Sequence, residues 1–353
     1  MISSREISVV IQGKVDQKNI NRLIHSIREK LPEAELIVAT WKNDNLNFYI
    51  DCDQLVLLKD PGAASMSVDG TGAYNINRLL YSTVEGINRA NRKYILKIRS
   101  DLLLKDVGFL KNFDSYNKRD ISHSLARHKI AICSLYCMKC ESEKGFVHPT
   151  PYHISDWACF GLSDDIKDLF DIPLVNIEYF ARYFEVNLKY RNYSIPWLNH
   201  RLWKFPPEQY IGVQYAKKLY PELKFDNCLE YDYVDAIQSE KFIVNNFIIL
   251  DPLQFGLISE KKYYDKISRH IDRVPEYVWN GLYRNYIYKQ DYKKYLDSNY
   301  KIGIDWIEKK RRIRRLIIKI LKPQTIRKPF ILQDIIYTNN SSQGDIDNGK
   351  RIR

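Results

Sequence analysis

Ile7-Ser8-Val9-Val10-Ile11 is a nearly unbroken apolar run rich in β-branched residues, and it stops at Gln12-Gly13. A strand apolar at almost every position is covered on both faces, as in a parallel sheet sandwiched between helices. The next segments of the chain fit this reading. Ile20, Leu23, Ile24, Ile27 and Leu31 recur at helical spacing, with Asn19 as the expected N-cap and Pro32 as the stop. Two more runs, Glu35 to Ala39 ending at Thr40-Trp41 and Gln54 to Leu58 ending at Asp60-Pro61-Gly62, read as strands. Strand, helix, strand, strand opens an α/β domain with a mostly parallel, Rossmann-like sheet.

Residues 62–75 carry Gly62, Gly70 and Gly72 among small side chains, too few large apolar groups for a core, so they read as a ligand loop. Ile76, Leu79, Leu80, Val84, Ile87 and Ala90 then form an amphipathic helix. It feeds Tyr94-Ile95-Leu96-Lys97-Ile98, a strand that ends at Arg99-Ser100-Asp101. Ligands of open α/β sheets bind beyond the carboxyl ends of the strands, so Thr40-Trp41, Asp60 and Asp101 are expected to converge there.

The chain has 353 residues, 45% of them hydrophobic, enough to bury a core in one large domain or two small ones. Its net charge of +12 is concentrated at the end, where residues 309–353 hold thirteen Lys and Arg against three Asp. The remaining body is close to balanced, which argues against a nucleic-acid-binding face. The N-terminus lacks the apolar segment and cleavage site of a secretory signal, and no apolar run approaches the ~20 residues of a membrane span, so a cytoplasmic location is expected. The six cysteines show no disulfide framework. Cys137-X-X-Cys140, with Cys133, His148 and His153 nearby, lacks the paired spacing of zinc modules and reads as core. Asp51-Cys52-Asp53 precedes a strand, the wrong end for a ligand site.

The order of these segments resembles the WavE-type lipopolysaccharide-synthesis family. The likeness rests on Val9-Val10-Ile11-Gln12-Gly13, Leu31-Pro32-Glu33-Ala34-Glu35, Thr40-Trp41, Asp60-Pro61-Gly62, Asn75-Ile76-Asn77-Arg78, Ser82-Thr83-Val84-Glu85-Gly86 and Leu96 to Asp101. It continues more loosely through Ser155-Asp156-Trp157, Pro207 to Tyr210 and Asp251-Pro252, covering most of residues 1–260. Behind it stands a broader similarity to glycosyltransferases of the GT-A fold, in which the first strand and helix, an acid after the second strand, an Arg/Asn-bearing helix and a strand ending in an Asp motif bind a nucleotide-sugar. The resemblance implies a donor site of Gln12, Gly13, Thr40, Trp41, Asp60, Asn77, Arg78, Arg99, Ser100 and Asp101, with a glycan or lipid-linked acceptor.

Sugar transfer builds negative charge on a departing diphosphate and needs a cation there. Asp101 is the expected anchor, directly or through Mg²⁺ or Mn²⁺. Here the strand end reads Ser100-Asp101-Leu102, without the second acid of Asp-X-Asp, so Arg99, Arg78 and Lys97 stay open as alternatives to the metal. Thr40-Trp41 replaces the usual acidic corner, and the Trp41 ring is an expected stacking surface for the base. Glu208, behind Pro206-Pro207, and Asp156 are the candidates for the base that deprotonates the acceptor; the Asp that often serves as base in GT-A enzymes aligns with Gln209.

Beyond the catalytic domain of 1–260, residues 261–322 read as a helical region and 323–353 as an extended or disordered tail. Apolar residues at 306, 313, 316, 317, 320 and 321, among Lys309 to Arg312, Arg314, Arg315 and Lys319, outline a basic amphipathic helix over about 306–322. Such a helix suits the anionic inner face of the cytoplasmic membrane. The expected activity is transfer of a sugar to a cell-surface glycan. Transfer of a phosphorylated sugar or polyol, and a non-catalytic membrane-tethered assembly factor, are the alternatives.

Overall fold

The computed structural model describes residues 2–44, 46–65, 70, 72–138, 140–143, 146–187, 202–230, 233–259 and 276–289. The first half runs β1 (Ile7–Gln12), α1 (Gln17–Lys30), β2 (Glu35–Trp41), β3 (Gln54–Leu58), a small ladder of β4 (Ala64–Ser65) with β5 (Ala73–Tyr74), α2 (Ile76–Ile87) and β6 (Tyr94–Arg99). Then come β7 (Leu103–Leu104), α3 (Gly108–Asn112), β8 (Ile130–Cys133), the antiparallel pair β9 (Cys140–Glu143) and β10 (Phe146–Pro149), and β11 (Ala158–Leu162). Next in the chain are the helices α4 (Ser163–Phe170), α5 (Ile177–Ala181), α6 (Tyr183–Val186), α7 (Pro207–Leu219) and α8 (Tyr233–Asn246). The last elements are β12 (Phe247–Leu250), α9 (Pro252–Phe255), β13 (Leu257–Ile258) and α10 (Glu276–Tyr288).

Seven strands form the central sheet in the order β12-β8-β11-β6-β1-β2-β3. All neighbours are parallel except β11, which runs antiparallel to both β6 and β8. β1 is an interior strand between β6 and β2, and all six of its residues are buried, as its largely apolar run requires. Each of Val9, Val10 and Ile11, with no exposed surface, contributes roughly 1.5–3 kcal/mol of burial. From β1 the chain crosses through α1 to β2 on one side, while β6 flanks β1 on the other. This reversal of strand order opens a crevice at the carboxyl ends of β1 and β6.

One local expectation changes. The N-cap of α1 is Asp16, whose carboxylate accepts from the Asn19 main-chain N–H at 3.0 Å and its side-chain amide at 2.6 Å. An ionised acid also complements the positive helix N-terminus, so it outcompetes Asn19, which becomes its partner. The loop of 62–75 holds the β4–β5 ladder, with Tyr74 buried and its hydroxyl donating to the Phe205 carbonyl at 2.7 Å. Asp51-Cys52-Asp53 is structural: Asp53 accepts from the Leu36 N–H at 2.6 Å and from Arg28 at 3.1 Å. Cys133 and Cys137 are buried in the core.

α10 packs near the β12 edge through an aromatic cage. Trp279 and Tyr283 are buried, Tyr116 meets both edge-on, and the Lys129 ammonium lies 4.0 Å from the Tyr283 ring centre while donating to the Lys118 carbonyl at 3.2 Å. Burial, with Arg119 nearby, pushes the Lys129 ammonium down to about 7 from 10.5. The unfolded chain therefore holds this proton more tightly, and stability should rise with pH from about 7 to 10.5 and be flat below. Lys129→Met should reduce that slope in melting curves taken across the window; an unchanged slope would refute the assignment.

No helix among the described residues is long and apolar enough to cross a membrane. The basic segment of 306–322 and the tail of 323–353 lie outside the described residues.

Candidate functional site

A cavity of about 530 Å³ opens at the carboxyl ends of β1, β2 and β6. The turn after β1 forms its floor. Gly13 takes φ of 107°, a conformation that disfavours any side chain, and its N–H donates to the Ala39 carbonyl at 3.1 Å. Ser100 fixes the same turn from β6, its N–H donating to the Gln12 carbonyl at 3.1 Å and its hydroxyl to the Lys14 carbonyl at 2.6 Å. The Gln12 side chain accepts from the Ser82 hydroxyl at 3.0 Å.

Two bidentate ion pairs stand in the wall. Arg78, in the first turn of α2, donates from Nε and Nη2 to the two Asp60 oxygens at 2.7 and 2.6 Å. Arg99, at the end of β6, donates in the same way to Asp101 at 3.0 and 2.7 Å. The guanidinium–carboxylate fork fixes the plane of each cation. Its hydrogen bond to Arg78, helped by the Gly62 N–H at 2.9 Å, holds the Asp60 carboxyl below the usual carboxylate range. Arg99 also lies 4.3 Å over the Trp157 ring, which stacks in turn on Tyr136 at 5.7 Å. Tyr136 has φ of 63°, a strained value for a residue with a side chain.

Glu208 and Asp156 complete the arrangement. Glu208 lies in the first turn of α7, behind Pro206 and Pro207, where an acid complements the helix dipole. Asp156 is 7% exposed, and its Oδ1 has no hydrogen-bond partner. Below it the fully buried Lys97 donates from Nζ to the Asp156 main-chain carbonyl. Burial drives the Lys97 ammonium below its ordinary value, with the Asp156 charge opposing that shift.

All the expected site residues line this cavity except Thr40 and Asn77. Thr40 is fully buried and Asn77 8% exposed. Asn77 clamps residue 175, its amide donating to the Val175 carbonyl at 2.9 Å and its oxygen accepting the Val175 N–H at 3.0 Å. Thr40 donates to Asp44 at 2.5 Å, and that same carboxylate oxygen accepts from the Val15 N–H at 3.3 Å. Trp41 lines the cavity but is only 6% exposed, packed with Ala39, Leu58, Val56 and Tyr81. Gln209, fully buried, stands outside the cavity and donates to the Pro151 carbonyl at 3.0 Å.

Lys14, Asn43 and Asp44 line the cavity without being marked out by the sequence motifs, and Asn75, at the head of the Asn75-Ile76-Asn77-Arg78 motif, lines it too. An acid thus does occupy the corner after β2, three residues beyond the strand. The polar turn Lys42-Asn43-Asp44 directly after the apolar run is its signal.

A divalent cation of the kind the resemblance implies takes about six oxygens. Among the described residues no three His, Cys, Asp or Glu side chains converge into a cage, and both Asp101 oxygens accept from Arg99. Asp156, with its orphaned oxygen, fits a cation that brings phosphate oxygens and water as its other ligands. Bound there, it would supply charge stabilisation for a departing diphosphate.

The family model of WavE lipopolysaccharide synthesis matches residues 7–317. The chain belongs to the WavE lipopolysaccharide-synthesis family. No curated protein matches it. WavE membership places the chain in lipopolysaccharide synthesis, and so among proteins whose substrates are sugars and glycans. The matched region contains the whole cavity and both ion pairs.

Proposed function

We propose that this chain is a glycosyltransferase of GT-A type, moving a sugar from a nucleotide-sugar donor onto a lipid-linked cell-surface glycan: lipopolysaccharide core, O-antigen or capsule. The observation that carries the reading is the meeting of two carboxylate-braced guanidinium groups, Arg78 and Arg99, with Glu208 and Asp156 in one cavity at the strand-order reversal.

Arg78 and Arg99 receive the diphosphate. Asp60 and Asp101 hold each fork in place, so little side-chain freedom is lost when an anion arrives. Lys14 adds a third cation, and Asn75 stands at the N-terminus of α2, where the helix dipole favours anions. Asn43 and Asp44 face the nucleoside end. As the bond between the anomeric carbon and the diphosphate oxygen breaks, the acceptor hydroxyl forms the new carbon–oxygen bond and its proton passes to Glu208. The acceptor arrives at the inner face of the cytoplasmic membrane, for which the basic pattern of residues 306–322 supplies the attraction.

Thermal melting with UDP, GDP, CDP, TDP and CMP, each with Mn²⁺ and with EDTA, tests the donor site. One nucleotide should raise the melting temperature. Arg78→Met should weaken that nucleotide on the order of tenfold or more, the range for a lost charge-assisted hydrogen bond. The absence of a shift with every nucleotide would defeat the reading.

A further inference from the structure

The main chain around Asp156 is held in place while one oxygen of its carboxylate has no hydrogen-bond partner. The segment of 151–157 is held along its length: Gln209 donates to the Pro151 carbonyl at 3.0 Å, the Tyr152 N–H donates to the Ser239 hydroxyl at 2.6 Å, and the Met138 N–H donates to the His153 carbonyl at 3.3 Å. Lys97 bonds the Asp156 carbonyl from beneath, and the Trp157 carbonyl accepts from the Arg99 N–H at 3.2 Å. These anchors fix the main chain at Asp156, and at 7% exposure the packing around it limits where the carboxylate can turn. Lys97 serves the main-chain oxygen and leaves Oδ1 unpartnered. A carboxylate oxygen left bare this deep calls for a further group to satisfy it.

The charge balance of the cavity says which kind. Among the described lining residues three cations face five carboxylates, and Arg78 and Arg99 are already bonded to Asp60 and Asp101. A diphosphate entering this surplus of acid is repelled unless positive charge enters with it. Magnesium-like ions are commonly held by one or two carboxylates and the phosphates of a substrate, with no complete protein cage.

We propose that Asp156, and not the strand-end Asp101, is the carboxylate that takes a divalent cation, and that the cation arrives with the diphosphate of the donor. This rests on the donor reading above. Asp101 then acts as the brace of Arg99, and Glu208 keeps the role of base.

The test uses the full chain and Mn²⁺, whose free aqua ion is counted by electron paramagnetic resonance, together with the nucleotide that melting identifies. Mn²⁺ alone should bind weakly, and uptake should rise at least tenfold once the nucleotide is added. Nucleotide affinity should fall at least tenfold in EDTA. In Asp156→Asn the ratio of affinities with Mn²⁺ and with EDTA should collapse towards one. In Asp101→Asn the ratio should persist even where both affinities fall.

Asp156→Asn removes the charge that opposes the desolvation of Lys97, so its melting temperature is measured first and the ratio is read well below it. If that variant does not fold, Asp156→Ser is judged by the same ratio. A collapsed ratio in Asp101→Asn with a preserved one in Asp156→Asn would overturn the proposal, as would equal nucleotide binding in EDTA or tight Mn²⁺ binding without nucleotide. In each of those cases the donor site itself still stands. Failure of every nucleotide to bind would instead remove the donor reading, and this inference with it.

Discussion

Glu208→Gln should bind the nucleotide as wild type does and lose glycan transfer by about 10²–10⁴-fold, the usual contribution of a positioned proton acceptor. The amide keeps the shape of the side chain at the start of α7 but cannot take the acceptor proton. Two readouts separate this from a folding defect: the nucleotide-induced rise in melting temperature should survive, and transfer of labelled sugar from the matching donor should not. In cells deleted for the chromosomal copy, the variant should leave lipopolysaccharide truncated on gels. Transfer at the wild-type rate would remove Glu208 from the chemistry.

Gly212→Ala should cost about 3 kcal/mol or more, at or beyond the top of the usual overpacking range. Helix propensity alone gives the opposite sign, since alanine in a helix interior is favoured over glycine by about 1 kcal/mol. The clash decides. A Cβ at 212 would lie 1.7 Å from the Tyr152 carbonyl oxygen and 2.8 Å from its carbon, and a main-chain carbonyl cannot rotate away. Tyr152 is itself held at φ of 59° with its N–H bonded to Ser239, so either α7 or the 151–157 segment must shift. At roughly 2–4 °C per kcal/mol for a chain of this order, melting should fall by about 6 °C or more. Because α7 carries Glu208 and the displaced segment carries Asp156, nucleotide binding and transfer should also suffer below the melting point. An unchanged melting temperature would refute the close approach.

The site was legible where strand ends announced it. The runs of 7–11 and 94–98 are apolar at four positions of five, and a sheet buried on both faces sets the residues after them, Gln12-Gly13 and Arg99-Ser100-Asp101, at its ligand-binding edge. Legibility stopped at the scale of one residue. On α2 successive side chains turn by about 100°, so Arg78 faces the cavity while Asn77 turns inward to bind residue 175. The same rotation on α7 separates Glu208, at the cavity, from buried Gln209. On β2 the alternation of faces hides Thr40 and sets Trp41 at the cavity margin.

Periodicity and the order of residues close together along the chain were enough for the α/β class, the carboxyl edge of the sheet as the place of the cavity, and the WavE likeness. Everything finer came from packing in three dimensions. It ran β11 antiparallel to its neighbours, paired Arg78 with Asp60 across eighteen positions, and fixed Asp156 over Lys97 with one oxygen unanswered. Strand direction, long-range pairing and desolvation are properties of which segments meet in space, and local residue preference does not carry them.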